Sequence, residues 1–339
     1  MERVERAPLV SVLLPFHNAV DTLADCIESI RAQTLADYEI IAVNDFSTDD
    51  SLHLLQAYND DRLKIIDNTH RGLVPALNTG LACCAAPLVA RMDADDIMYP
   101  ERLLKQYEYM RAHHDVVLLA AQARKFPEAS IRNGYREYMR WQNSVLSHDD
   151  IHKQIYIESP FAHPSVMFRR DSVIAAGAYR HGEFPEDYEL WLRLLHTGHR
   201  MEKLSEILLD WRESENRLSR VSDNYSRNAF DMIRADYLSR DERIHNRPIA
   251  FWGAGRKTRQ RARHLLEKGY EPAAWIDIDP NKIGNRINGI EVVEPAWLQQ
   301  AGDKPFVLNY VTNHGARDIA RTYLQRIGYV LGKDFLEVG

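Results

Sequence analysis

The sequence predicts an α/β protein in two parts, a mostly parallel sheet flanked by helices and a smaller Rossmann-like α/β domain behind it. Three observations predict this. Short apolar runs alternate four times with stretches of helical periodicity between residues 9 and 92. Asn18, Asp45, Arg71, Asp93 and Asp95 each arrive just after one of those runs. Beyond Pro248 the same alternation begins again.

Residues 9–14 read as a buried strand stopped at Pro15, and Val20, Leu23, Ile27 and Ile30 follow at helical spacing. Residues 39–43 give a second strand ending at Asn44-Asp45, and residues 47–58 a helix with a Ser/Thr/Asp-rich start. Residues 63–66 form the third strand, followed by the loop His70-Arg71-Gly72. Residues 73–84 form a helix with Leu73, Ala76, Leu77, Gly80, Leu81 and Cys84 along one side. The strand at 88–92 then delivers Asp93. Such units pair in parallel with right-handed crossovers, and ligands sit outside the carboxyl ends of the strands, so these polar residues share one edge.

Residues 116–121 read as a further strand, residues 135–142 and 149–156 as helices, and residues 222–240 as one amphipathic connecting helix. In the tail, 249–252, 273–278 and 306–310 are strands, and 256–268 and 317–327 are helices. The predicted division is therefore 1–218, a connecting helix over 219–246, and a Rossmann-like domain over 247–339.

A chain of 339 residues with 45% hydrophobic and 27% charged residues has ample material for ordinary globular cores. A net charge of −6 carries no nucleic-acid footprint. Three cysteines cannot pair evenly and have no metal-like spacing, which points to a reduced, cytoplasmic protein. No apolar run approaches the roughly 18 residues of a membrane helix, and residues 1–8 are charged rather than signal-like. The first part has no Gly-x-Gly-x-x-Gly and no Walker sequence, which excludes a Rossmann cofactor or P-loop there.

Asp93-Ala94-Asp95-Asp96 reads in two ways. Three clustered carboxylates repel unless a cation neutralises them, and oxygen ligands suit Mg²⁺ or Mn²⁺. Asp also favours turns and helix starts, and Pro100 opens a helix four residues later. Glu186-Asp187 likewise opens a helix, whose apolar face is Tyr188, Trp191, Leu192 and Leu195. Acids there complement the helix dipole, and the positive helix end favours the ionised form. A general base for an alcohol needs that same ionised, well-placed carboxylate. His163 precedes Pro164 in a rigid, extended presentation, as a contact to substrate or metal or as a structural histidine.

Five segments carry a family resemblance. They are Val10-Ser11-Val12-Leu13-Leu14-Pro15-Phe16-His17-Asn18, Ile41-Ala42-Val43-Asn44-Asp45-Phe46-Ser47-Thr48-Asp49, Leu77-Asn78-Thr79-Gly80, Met92-Asp93-Ala94-Asp95-Asp96 and Glu186-Asp187-Tyr188-Glu189-Leu190-Trp191. In this order and spacing, residues 9 to about 218 resemble glycosyltransferase family 2, inverting enzymes with the GT-A nucleotide-sugar fold. The resemblance implies that Pro15, His17 and Asn18 line the nucleotide, with His17 standing where Tyr is more usual. It implies that Asp45 and Arg71 hold the base, Asp93 the ribose, and Asp95 a Mn²⁺ or Mg²⁺ ion, which favours the metal reading of the Asp cluster. Similar family members carry a His–Pro at this place, which puts His163 near metal or substrate. Asp187 becomes the base that activates the acceptor and Glu186 a neighbour that positions it, in a one-step displacement with inversion.

Residues 208–219 resemble the family's closing segment, with Arg212 as the phosphate contact; the alternative is an ion pair of Arg212 with Glu213 or Glu215. The implied reaction moves a sugar from a nucleotide-diphosphate donor, UDP by default, to a hydroxyl of a glycan or polyprenyl-linked acceptor in surface polysaccharide synthesis. A non-catalytic nucleotide or sugar sensor is one alternative. A sugar nucleotidyltransferase is another, but it needs a Gly-rich triphosphate loop where Pro15-Phe16-His17-Asn18 stands.

In the tail, Gly253-Ala254-Gly255 has Thr258 in place of a third glycine, and Asp277 stands where a ribose-binding acid would. From Arg247 onward there are 14 Lys/Arg against 10 Asp/Glu. Arg256, Lys257, Arg259, Arg261 and Arg263 crowd one helix, as a solvated face or as a contact for a polyprenyl diphosphate or an anionic membrane surface at which the protein is peripheral.

Overall fold

In the computed structural model, which describes residues 7–128, 131, 133–214 and 217–339, β1 (Val10–Phe16), β2 (Tyr38–Asn44), β3 (Leu63–Asp67) and β4 (Leu88–Arg91) run parallel in the order β3-β2-β1-β4. Four more strands extend this sheet: β5 (Ile97–Met98), β6 (Val116–Phe126), β7 (Met167–Arg169) and β8 (Arg200–Arg212). The full order is β3-β2-β1-β4-β7-β6-β8-β5, with β7 antiparallel to β4 and β6, and β5 antiparallel to β8. Every residue of β1 and β2 is buried, the condition of central strands covered on both faces.

Pro15 lies inside β1 rather than ending it. β4 pairs with β1 only as far as Leu13, so Pro15 faces a partner on the β2 side alone and its missing N–H is tolerated. The helix expected over 47–58 shrinks to Ser51–Gln56. The segment before it is held as a loop: Asn44 Oδ1 accepts the Ser47 N–H at 3.0 Å, and Asp49 Oδ1 accepts the Ser51 N–H at 3.0 Å.

The helix Leu73–Cys83 lies directly on β1 and β2 at Gly80. A Cβ there would stand 2.2 Å from Leu13 Cδ1 and 2.8 Å from Val43 Cγ2, so only glycine lets the helix approach this closely. Below the end of β4, Arg102 is fully buried in the helix Arg102–Ala112. It donates to the carbonyls of Arg91 (2.9 Å) and Val166 (3.3 Å), while Gln106 donates to those of Leu119 (2.9 Å) and Ser165 (3.0 Å). Burial pulls the Arg102 guanidinium down to about 9, against the pull of Asp96.

Two compact units emerge: Met1–Ile151 with Pro160–Gly182 and Glu186–Arg220, and His152–Ser159 with Glu183–Pro185 and Val221–Gly339. The second differs from the predicted domain in two ways. The stretch expected as one connecting helix divides into Leu218–Val221, a turn at Asp223–Tyr225 and the helix Arg227–Leu238, because Ser226 caps a fresh start by accepting the Ala229 N–H at 3.2 Å. That last helix is part of the unit rather than a linker: Asp236 takes Lys268 at 2.8 Å, and Asp231 takes Arg261 at 3.6 Å. Residues 152–159, expected in the first domain, belong here too, with Tyr156 donating to Asp241 at 2.9 Å. A linear pattern cannot reveal such an excursion.

The second sheet contains β9 (Ile249–Trp252), β10 (Ala274–Ile276), β11 (Arg286–Ile287), β12 (Ile290–Val293), β13 (Phe306–Asn309) and β14 (Phe335–Glu337). Its order is β11-β12-β10-β9-β13-β14, parallel except for β11. Asp277 is spent inside the fold: Oδ2 accepts the Ala254 N–H (2.8 Å) and Lys282 (3.1 Å), and Oδ1 the Asp279 N–H (3.0 Å). Of the five clustered basic residues, Arg261 turns inward to Asp231, while Arg256, Lys257, Arg259 and Arg263 are exposed. Among the described residues, no helix is long and apolar enough to cross a membrane.

Gly80→Val should destabilise the protein by roughly 1–3 kcal/mol through overpacking against Leu13 and Val43. Thermal unfolding checks this; an unchanged midpoint would refute the close-contact account.

Candidate active site

The carboxyl edge of the first sheet begins with β1 and β2. His17 Nδ1 meets the Asp45 carbonyl at 2.7 Å, and Asn18 (φ 47°) accepts the Thr48 N–H at 2.7 Å while its own N–H donates to Ser47. His17 and Asn18 are exposed and knit two loops together, and Pro15 is buried in the strand behind them. Asp45 is buried, and its carboxylate takes the Gly72 N–H (2.9 Å to Oδ1) and Asn68 Nδ2 (2.8 Å). This fixes the loop that presents Arg71, which is exposed at the same edge. Two residues here escaped the sequence reading. Asn68 also donates to the His70 carbonyl and accepts from Thr79, so it organises the loop from within. Phe46, 45% exposed at φ 55°, offers a flat aromatic face next to Asp45.

β4 ends on Arg91, and Asp93, Asp95 and Asp96 follow with one oxygen from each within 4.8 Å of the others. Burial and the neighbouring acids raise Asp95 above the usual carboxylate range, and Asp96, 1% exposed, well above it. Asp96 Oδ1 accepts the Arg212 N–H at 2.7 Å; its Oδ2 is buried with no hydrogen-bond partner among the described residues. An oxygen-only set with an orphaned carboxylate oxygen fits a hard divalent cation.

His163 lies in the short turn His163–Ser165 that leads into β7. It is buried, with Nε2 at 2.9 Å from the Tyr179 hydroxyl and Nδ1 at 3.6 Å from Glu186. Its nitrogens thus face Tyr179 and Glu186, and it stands outside the three-carboxylate group. Burial, helped by Arg91, pushes the His163 imidazole down, so it is neutral near pH 7. Tyr179 is itself pinned by the family-like Asn78, whose amide pairs with the Tyr179 backbone N–H (3.1 Å) and carbonyl (2.9 Å).

Glu186 and Asp187 open the helix Glu186–His196, whose Tyr188, Trp191, Leu192 and Leu195 are buried. Arg193 pairs with Glu189 (2.8 Å) and donates to the carbonyls of Ala176 and Ala178, fixing the segment that carries Tyr179. Asp187 Oδ1 accepts the Tyr188 N–H at 2.7 Å. The helix end was expected to keep Asp187 fully ionised. Instead, burial and then the Glu186 charge push it well above the carboxylate range, outweighing the helix N–H groups and Arg91.

The closing segment lies against the Asp loop. Arg212 Nε donates to the Asp95 carbonyl (2.6 Å), and its Nη2 lies 3.5 Å from Asp25, so it braces the Asp loop. Glu213 pairs instead with Lys125, Arg217 and Arg220. Glu215 lies outside the described residues. Arg217 stacks on Trp211 at 4.4 Å, and its field reaches Asp95 and Asp96. Arg217 is thus a second cation of this segment that acts on the acid cluster, and the spacing alone did not single it out.

The model of "Glycosyl transferase family 2" matches residues 11–177. The amylovoran biosynthesis glycosyltransferase AmsE of Erwinia amylovora is 38% identical over 206 residues, covering 59% of this chain and 75% of that protein. An Escherichia coli UDP-Gal:alpha-D-GlcNAc-diphosphoundecaprenol beta-1,3-galactosyltransferase is 28% identical over 232 residues, covering 66% and 82%. Among solved structures, S. aureus TarS 1-349 in complex with UDP-GlcNAc superposes with a TM-score of 0.53 at 17% identity, over 69% of this chain and 72% of that one.

An acid raised in the native state binds its proton there more tightly than in the unfolded chain. Its contribution to stability is complete below the ordinary carboxylate pKa and is lost as pH rises through the native value. Asp187→Asn should therefore stabilise the metal-free protein at pH 8 by on the order of 1 kcal/mol or more, seen as a raised melting temperature, with little gain near pH 4. Equal gains at both pH values would contradict the burial account.

Proposed function

The chain belongs to glycosyl transferase family 2, and from that membership we propose that it transfers a sugar, with inversion, from a nucleoside-diphosphate donor to a hydroxyl of a glycan or polyprenyl-linked acceptor. One observation carries the reading: a three-carboxylate group and a helix-borne acid pair on the carboxyl edge of one sheet. Asp95, with Asp93 and Asp96 beside it, would hold Mn²⁺ or Mg²⁺. Such an ion, when bound, neutralises charge on the departing nucleoside diphosphate. Asp45 sets the loop that brings Arg71 to the base, and Asp93 faces the ribose. In its ionised form, Asp187 takes the proton from the acceptor hydroxyl as it attacks the anomeric carbon, and Glu186, steadied by His163, orients that hydroxyl. Arg217 joins Arg212 in countering phosphate charge.

UDP is the preferred donor nucleotide and a polyprenyl-diphosphate-linked glycan the preferred acceptor, because those are the chemistries in the name of the E. coli relative. Such acceptors lie in the membrane, and the exposed Arg256, Lys257, Arg259 and Arg263 support peripheral contact of a cytoplasmic protein with an anionic bilayer.

Calorimetric titration of UDP, GDP and dTDP, each with Mn²⁺ and with EDTA, should give metal-dependent binding of one nucleotide. Asp95→Ala should abolish it, whereas Asp187→Asn should keep it and lower turnover by about 10²- to 10⁴-fold. Metal-independent binding would remove the ion from the reading, and normal turnover of Asp187→Asn would remove the base. Replacing the four exposed basic residues by Glu should eliminate binding to phosphatidylglycerol vesicles; unchanged binding would refute the bilayer contact.

A further inference from the structure

The sheet edge that carries the carboxylates also carries a group of opposite charge. β4 and β6 both run antiparallel to β7, and β8 runs parallel to β6, so β6 and β8 end on the edge where β1 to β4 end. Lys125 and Trp211 are register partners there. The Lys125 ammonium lies against two rings, 4.3 Å from that of Trp211 and 4.4 Å from that of Tyr135 in the helix Asn133–Ser144. Arg217 stacks on the same Trp211, and Arg220 lies 5.4 Å from the Tyr135 ring.

Glu213 pairs with all three cations, with Arg217 at 3.9 Å. Three positive charges against one carboxylate leave an excess of two. Lys125 and Glu213 are buried, so water does little to screen that excess. Aromatic faces attract cations but carry no net charge, so they do not cancel it. Among the described residues, no ion pair joins these cations to Asp93, Asp95 or Asp96, and the acid cluster does not neutralise them by contact. Burial, and then repulsion from Arg217, pulls the Lys125 ammonium down to about 8, against the pull of Glu213. Two donors of the group, Arg220 Nε and Trp211 Nε1, are buried with no hydrogen-bond partner among the described residues. The Arg217 and Arg220 side chains nevertheless remain 13% and 20% exposed, which leaves them open to a solute.

We propose that Lys125, Arg217 and Arg220 form an anion subsite for a diphosphate group, with Glu213 holding the three cations in place. Two guanidinium forks and one ammonium present several N–H donors to the oxygens of a polyanion, and charge on both partners strengthens each such bond. The transferase reading brings two groups of this chemistry to the edge, the nucleoside diphosphate of the donor and the diphosphate of a polyprenyl-linked acceptor. The choice between these sources rests on that reading, whereas the subsite rests on the charge excess.

The first test uses inorganic diphosphate. Calorimetric titration into the full-length protein, in EDTA so that no metal bridges the anion, should show binding that weakens as salt is raised. Arg220→Met and Lys125→Met should each weaken it by about tenfold or more, and Arg220→Lys, which retains a cation, should lose less. Thermal unfolding shows which variants fold; if Lys125→Met does not, the partly exposed Arg220→Met decides the matter. No binding by the wild type, or wild-type affinity in the folded Met variants, would overturn the inference. Farnesyl diphosphate then identifies the source. Its binding to protein saturated with UDP and Mn²⁺ assigns the subsite to the acceptor, and its displacement by UDP and Mn²⁺ assigns it to the donor. Failure of the transferase reading appears separately, as an absence of metal-dependent nucleotide binding, and leaves the inorganic diphosphate result standing.

Discussion

Five carboxylates crowd the carboxyl edge of one sheet, and much of the first unit serves to hold that negative charge in place. Asp93, Asp95 and Asp96 follow one strand, and Glu186 and Asp187 begin one helix. Left to themselves, such groups would either protonate or spread apart, and the raised Asp95, Asp96 and Asp187 record the first tendency. The second is prevented mechanically. Arg102 and Gln106 bolt the end of β4, the body of β6 and the His163 turn together, and the Arg212 backbone N–H grips Asp96. Stability is sacrificed at the edge and recovered in the fully buried strands behind it.

What the sequence disclosed follows from what a local pattern can encode. The four β–α repeats were visible because central parallel strands are continuous apolar runs. The edge location of Asn18, Asp45, Arg71, Asp93 and Asp95 followed from topology once those runs were placed. The roles of Asn68 and Arg217 were hidden, because an Asn in a loop and an Arg after a strand carry no signal until a fold gives them neighbours. Arg212 illustrates the converse: its position in the closing segment was readable, but its bond to the Asp95 carbonyl was not.

The second unit was legible as alternating strands and helices, and its strand order bears out an α/β pattern. Its boundaries were less so, because the chain returns for residues 152–159 after most of the first sheet is complete. Asp277 shows why a motif at the right spacing is weak evidence by itself. The carboxylate that a ribose would need is occupied by the Ala254 N–H and Lys282. The same residue type serves either purpose, and only its neighbours decide between them.

The paired hydrogen bonds between the Asn78 amide and the Tyr179 backbone join residues 101 positions apart. Closing so long a loop is entropically expensive and contributes nothing until both ends are in place, which makes it a late event in folding. The strands β1 to β4 and the three-carboxylate group are encoded before residue 97, whereas Tyr179 and the acid pair come from residues 179–187. A chain emerging from the ribosome therefore completes the strands that carry Asp45 and Asp93 first and brings in Glu186 and Asp187 last. A half-made chain would carry the three-carboxylate group without the acid pair.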